Sequence, residues 1–96
     1  MKIGFIGTGN MGGTLASAAA KSGEAQVLLA NRTKAKAEAL AGRIGAAVSG
    51  NEMIAKEADH IFLGVKPQMM AGMLEGIAPA LRERKAPPVL VSMAAG

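Results

Sequence analysis

Apolar residues fall along this chain in short runs, separated by glycine and by polar or alanine-rich stretches of helical period. Lys2-Ile3-Gly4-Phe5-Ile6 reads as a brief buried strand ending in a glycine turn at Gly7-Thr8-Gly9. Residues 10–21 are rich in alanine, with Met11 and Leu15 four apart, and suit a helix with a small-residue face. Ser22-Gly23 closes that helix, glycine taking the left-handed position beyond the last turn. Val27-Leu28-Leu29-Ala30 is a second strand. Thr33 is placed to cap a helix reaching about Gly42, with Ala35, Ala39 and Leu40 turned inward.

Ala46-Ala47-Val48 is a short third strand. Ser49 and Glu52 have capping-box spacing, and Asn51 offers an alternative cap for a helix over 52–58. His60-Ile61-Phe62-Leu63-Gly64-Val65 is an apolar run that predicts a strand buried on both faces, ended by Lys66-Pro67. Residues 68–85 have helical period, with Met69, Met70, Met73, Leu74, Ile77 and Leu81 in one stripe. Pro79 is expected to kink or divide that helix. After Pro87-Pro88, Val89-Leu90-Val91-Ser92-Met93 is a fifth strand. Strict alternation of strand and helix calls for a parallel sheet with helices on both faces. The expected fold is α/β, a doubly wound, Rossmann-like sheet of five strands in the order 3-2-1-4-5.

Composition narrows the class. The chain has 96 residues, half of them hydrophobic, which fits one domain and excludes an intrinsically disordered chain. No apolar run approaches the roughly 20 residues of a membrane-spanning helix, and glycines interrupt the stretch where a signal peptide would need continuity. There is no cysteine, so disulfides and thiolate metal sites are excluded, and the lone His60 gives no basis for a metal site. A cytoplasmic, non-membrane protein is the expectation. The formal charge of +4 is clustered, with Arg32, Lys34, Lys36 and Arg43 in one segment and Arg82, Arg84 and Lys85 in another. With two phenylalanines as its only aromatics the chain has little to stack on bases, so nucleic acid is not an expected partner. The second cluster reads as a solvated helix end.

Gly7-Thr8-Gly9-Asn10-Met11-Gly12 fits G-x-G-x-x-G. Gly7 makes the tight turn out of the strand, Gly9 lets a pyrophosphate approach the backbone, and Gly12 allows close helix–strand packing. Amides at the start of the following helix then face the phosphate oxygens. The motif follows a strand and opens a helix, which is the context it needs. NAD-binding sites place a carboxylate at the end of the second strand, to receive the adenosine ribose. Here Asn31-Arg32-Thr33 stands there instead. A carboxylate would repel a 2′-phosphate, whereas these three side chains can bind it, with Lys34 and Lys36 adding positive potential. NADP(H) is therefore expected over NAD(H).

Together, this loop, Asn31-Arg32-Thr33, Val65-Lys66-Pro67-Gln68 and Val91-Ser92-Met93-Ala94-Ala95-Gly96 resemble the N-terminal cofactor domain of the pyrroline-5-carboxylate reductase family. The resemblance spans all 96 residues. It implies that Ile6, Gly7, Thr8, Gly9, Asn10 and Met11 hold the pyrophosphate and that Asn31 and Arg32 hold the adenosine phosphate. It implies that Asn51 contacts the cofactor, and that Gly64, Val65, Lys66 and Pro67 with Met93, Ala94 and Ala95 line the nicotinamide half.

The implied reaction is NADPH-dependent reduction of the cyclic imino acid 1-pyrroline-5-carboxylate to L-proline, the closing step of proline biosynthesis. In the family a helical C-terminal domain, which this chain lacks, supplies substrate contacts and dimerisation. On that resemblance residues 1–96 are the NADP-binding domain of a homo-oligomeric enzyme and carry no catalytic residue themselves. Alternatives are another NADP-dependent oxidoreductase of the β-hydroxyacid dehydrogenase group, a deazaflavin-dependent NADP reductase, or a dinucleotide-sensing module without chemistry.

Overall fold

The computed structural model describes residues 1–7, 9–23, 25–31 and 33–92, with residues 9–13 given by their backbone alone. Strands β1 (Lys2–Ile6), β2 (Gln26–Ala30), β3 (Ala47–Val48), β4 (His60–Leu63) and β5 (Val89–Ser92) alternate with four helices. The helices are α1 (Gly9–Ser22), α2 (Lys34–Ile44), α3 (Asn51–Glu57) and α4 (Pro67–Arg82). Every strand pairing is parallel and the sheet order is β3-β2-β1-β4-β5. This is the doubly wound order expected from the strand–helix alternation.

Two apolar clusters sit on opposite faces of the sheet. One joins Phe5, Val27 and Leu29 to Ala16 of α1 and to Leu40 and Ala41 of α2. The other joins Ile6, Leu28, Ala30, Ile61 and Leu63 to Ile54, Ala55 and Ala58 of the α3 segment and to Ile77 and Ala80 of α4. Alternate residues of each strand supply the two faces, as the pleat requires. Phe5 and Phe62, neighbours in register, stack with ring centroids 4.9 Å apart. Such a pair adds about 0.5–1.5 kcal/mol beyond its burial.

Gly4 explains how α3 comes so near the sheet. A methyl group at its Cα would collide with Cγ2 of Ile54, so only glycine admits the helix at this point of β1. Gly23 and Gly45 close α1 and α2 with φ of 71° and 74°, in the left-handed region that glycine enters without steric cost.

Several local expectations are corrected. The buried face of α2 is Ala37, Leu40 and Ala41, whereas Ala35 and Ala39 are exposed. Leu40 fixes the face, and its helical neighbours lie three before and one after it, while alanine marks no face by itself. Thr33 occupies the N-cap position but makes no side-chain cap bond. The Ser49–Glu52 box does not form, and Asn51 is not a cap. Ser49 still extends the sheet, its amide donating to the Leu29 carbonyl at 2.8 Å, so the cap falls on Gly50.

β4 alternates half-buried and buried residues and is shorter than the apolar run suggested. It lies one strand from the edge, and the α1–α2 layer reaches only part of that face. Leu15, too, is exposed. Helix α4 is not divided at Pro79 but runs unbroken to Arg82. The carbonyl left without its helical donor belongs to Glu75, and both Glu75 and Pro79 are exposed residues.

The amino-terminal edge of the sheet is tied by polar contacts. The Lys2 amide donates to Oδ2 of Asp59 at 2.8 Å, and the Asp59 amide returns a bond to the Lys2 carbonyl at 2.8 Å. Lys2 Nζ pairs with Glu57 at 2.6 Å. Arg84, expected as part of a solvated helix end, is instead partly buried. Its Nη1 donates to the carbonyls of Ala55 at 2.8 Å and Ala58 at 2.7 Å, while Nε bonds Ala86. One guanidinium thus closes the end of α3 and fixes the chain that leads to β5.

Candidate functional site

In a parallel sheet each strand ends where the next helix begins, so the carboxyl edge collects loops and helix N-termini together. Register makes this concrete. Ile6 stands opposite both Ala30 and Leu63, and Leu63 opposite Ser92. Gly7, Asn31 and Gly64 therefore emerge side by side, and α1, α2, α3 and α4 all start at this edge. Short bonds continue the ladder past the strands. The Gly7 amide donates to the Ala30 carbonyl at 2.7 Å, and the Gly64 amide to Ile6 at 2.8 Å.

Gly7 has φ of 79°, which an L side chain adopts only with strain. Its space is closed as well. A methyl there would lie 2.9 Å from the carbonyl carbon of Gly64 and 3.0 Å from both the amide nitrogen and Cγ1 of Val65. The first glycine of the motif is thus demanded twice, by the turn and by the β4–α4 loop packed on it.

The electrostatics of this edge are one-sided. The first turns of α1, α2 and α4 hold no acidic residue, leaving Glu52 of α3 as the carboxylate in a helical first turn. The first turn of α2 carries Lys34 and Lys36, both exposed, and the N-cap of α4 is the exposed Lys66. The caps of α2, α3 and α4 make no side-chain bond to the helix. A helix N-terminus carries partial positive charge, so lysines there are locally unfavourable. The conflict is relieved when an anion occupies the edge.

Ile6 is buried and Gly7 forms the turn beyond it, while Asn31 is half-buried directly after β2. Gly64 and Val65 are half-buried, Lys66 and Pro67 exposed, and Pro67 is the first residue of α4, where its missing N–H costs nothing. Asn51 is exposed at the start of α3, on the same edge. Gly9, Asn10 and Met11 open α1, with only their backbone described. Thr8, Arg32, Met93, Ala94 and Ala95 lie outside the described residues. His60 begins β4 at the opposite edge, away from this constellation, with its Nδ1 buried and unpartnered among the described residues.

Two features escaped sequence reasoning. The contact of the β4–α4 turn with Gly7 left no pattern, because it joins residues far apart in the chain. Gly4 did leave one, a glycine inside an apolar strand, which marks close approach of another backbone or side chain.

Residues 2–96 match the family described as NADP oxidoreductase coenzyme F420-dependent. Among curated relatives, the pyrroline-5-carboxylate reductase of Corynebacterium melassecola is 36% identical over 97 residues, covering 98% of this chain but 36% of the relative. The chain thus spans little more than a third of that relative's length. Among solved structures, Streptomyces aurantiacus imine reductase superposes with a TM-score of 0.78 at 31% identity, over 100% of this chain and 32% of the other. Plasmodium falciparum pyrroline carboxylate reductase with NADP bound gives 0.74 at 26% identity, over 98% and 33%.

Proposed function

This chain belongs to the NADP oxidoreductase coenzyme F420-dependent family, and from that premise we propose a specific enzyme role. Residues 1–96 are the NADP(H)-binding domain of a pyrroline-5-carboxylate reductase, which reduces the cyclic imine to L-proline. The observation that carries the reading is the carboxyl edge itself. It combines a glycine turn with φ of 79°, helix N-termini poor in carboxylates, and Asn31 where an NAD site would put an acid. These features suit an anionic dinucleotide with a third phosphate. The names of the relatives supply the substrate.

The cofactor, when bound, supplies a hydride from nicotinamide C4 to the carbon of the C=N bond. The chain's task is to bind and orient. Gly7, Thr8, Gly9, Asn10 and Met11, at the start of α1, hold the pyrophosphate through main-chain amides. Asn31 and Arg32 take the 2′-phosphate, with Lys34 and Lys36 adding attraction. Asn51 contacts the cofactor. Gly64, Val65, Lys66 and Pro67, together with Met93, Ala94 and Ala95, shape the nicotinamide half and keep water from the reacting carbon. The proton for the imine nitrogen and the clamp on the substrate carboxylate come from a further helical domain, through which the full-length enzyme forms its oligomer.

Calorimetry on the 96-residue chain tests the cofactor assignment. NADPH is expected to bind at least about tenfold more tightly than NADH, a difference of about 1.4 kcal/mol. Equal affinity, or a preference for NADH, removes the roles given to Asn31 and Arg32. A second reading rests on the family's description, which names coenzyme F420. Turnover of the full-length protein separates the two. Oxidation of NADPH by 1-pyrroline-5-carboxylate supports the reductase, and oxidation by coenzyme F420 alone supports the other.

A further inference from the structure

The first glycine of a phosphate loop is usually assigned to its turn alone. In this molecule a second demand falls on Gly7, and it comes from the other half of the site. The face of Gly7 where a side chain would stand is filled by the β4–α4 turn, with Cγ1 and the amide nitrogen of Val65 each 3.0 Å from that point. Val65 is itself half-buried and also packs against the apolar cluster that includes Ile6, Ile54, Ile61 and Ile77. A branched side chain is thus wedged between the core and the backbone of the loop. The Gly7 amide is meanwhile tied at 2.7 Å to Ala30, and the Gly64 amide at 2.8 Å to Ile6.

We propose that Val65 is a positioning residue: it sets the height of the phosphate loop by bearing on Gly7, and so governs pyrophosphate binding from the opposite half of the site. This rests on the dinucleotide reading above and deepens it. Shortening Val65 leaves Gly7 unsupported on the side facing β4, while the turn and its hydrogen bonds remain. Small displacements of fixed amide donors are expensive for a rigid anion.

The test uses three probes on the 96-residue chain: NADP⁺, 2′-phospho-ADP-ribose, which keeps the pyrophosphate but has no nicotinamide, and adenosine 2′-monophosphate, which has neither. In Val65→Ala, affinities for the first two are expected to fall together by about tenfold or more, with that for adenosine 2′-monophosphate unchanged. Val65→Thr keeps the branch at Cβ, and at this half-buried position its hydroxyl is not sealed from solvent, so it is expected to restore both to within about twofold. The ¹H–¹⁵N resonance of Gly7 should move in Val65→Ala and return in Val65→Thr.

Loss confined to NADP⁺ would limit Val65 to lining the nicotinamide half, with no hold on the phosphate loop, and overturn the proposal. Equal loss for all three probes, with a fallen melting temperature, would make it merely structural and overturn it too. Unchanged affinities, or a Val65→Thr variant as weak as Val65→Ala, would do the same. If the unaltered chain binds none of the probes, the dinucleotide reading itself fails and the proposal falls with it.

Discussion

The two edges of the sheet are built from the same strands and helices, yet they handle charge in opposite ways. At the amino edge charged groups find partners within the chain: Lys2 with Glu57, Asp59 with the Lys2 amide, and Arg84 with the last carbonyls around α3. At the carboxyl edge the N-termini of α2 and α4 are flanked by lysines and receive no side-chain cap. At the first edge these charges are matched within the chain, while the lysines at the second leave a positive potential that an anion would neutralise. The difference teaches that helix ends left without partners are as informative as those that have them. Evolution could have capped α2 with the Thr33 hydroxyl and an acid at position 36, and Lys36 stands there instead.

The sharpest way to break this contrast is Gly7→Ala. Left-handed strain and the closed space around Gly64 and Val65 together cost about 2–5 kcal/mol, and nucleotide binding should be abolished. Denaturant unfolding and calorimetry measure both. A variant of wild-type stability would contradict the close packing described here.

Arg84→Ala attacks the other edge. It leaves carbonyls of Ala55 and Ala58 without their charged donor and should cost about 1.5–3 kcal/mol. NADPH affinity should stay the same once the chain is folded, because Arg84 lies across the sheet from the site. A selective loss of affinity would argue that the edges are not independent.

Lys36→Glu sharpens the comparison, because stability and binding should move in opposite directions. The substitution gives α2 a capping box, Thr33 with an acid three residues on, and puts negative charge near the helix N-terminus. It should stabilise the chain by roughly 0.3–1 kcal/mol. Affinity for NADPH should fall, while affinity for NADH changes less. Melting temperature and titration read the two effects on one protein.

The smallest effect is a pH dependence at the amino edge. Asp59 has its pKa lowered chiefly by the hydrogen bond from the Lys2 amide, with the chain's amino terminus, Arg84 and His60 contributing and burial opposing. Its folded value lies below the unfolded one, near 3.9. The stabilisation is therefore fully present above that pH and is lost as the pH falls through the lower, folded value. Asp59→Asn should flatten this acid limb and leave the neutral-pH behaviour of the carboxyl edge alone. An unaltered acid profile would contradict the role of this carboxylate.

The fold was legible in the sequence because glycine punctuation and short apolar runs mark each strand end, and strand–helix alternation leaves few topologies open. The glycine loop and the absence of an acid after β2 were legible for a similar reason, since they are local patterns. What sequence reading got wrong was also local, but decided by packing. Alanine gave no direction to α2, so Leu40 rather than Ala35 and Ala39 fixes its inner face. Ser49 was drawn into the sheet by Leu29 and could not cap α3. Pro79 does not divide α4, and it and Glu75, whose carbonyl it leaves without a helical donor, are both exposed. The contacts of Arg84 with α3 and of Val65 with Gly7 were invisible, since each joins residues that only the folded sheet brings together.

The central claim is that the carboxyl edge, and not the amino edge, receives a phosphorylated dinucleotide. It is tested most directly by following backbone amide resonances while NADP⁺ is titrated into the chain. The account predicts that Gly7, Asn31, Gly64, Val65 and Lys66 shift in step with saturation, while Lys2, Asp59, His60 and Arg84 stay in place. Shifts centred on the amino edge, or none at saturating nucleotide, would contradict it.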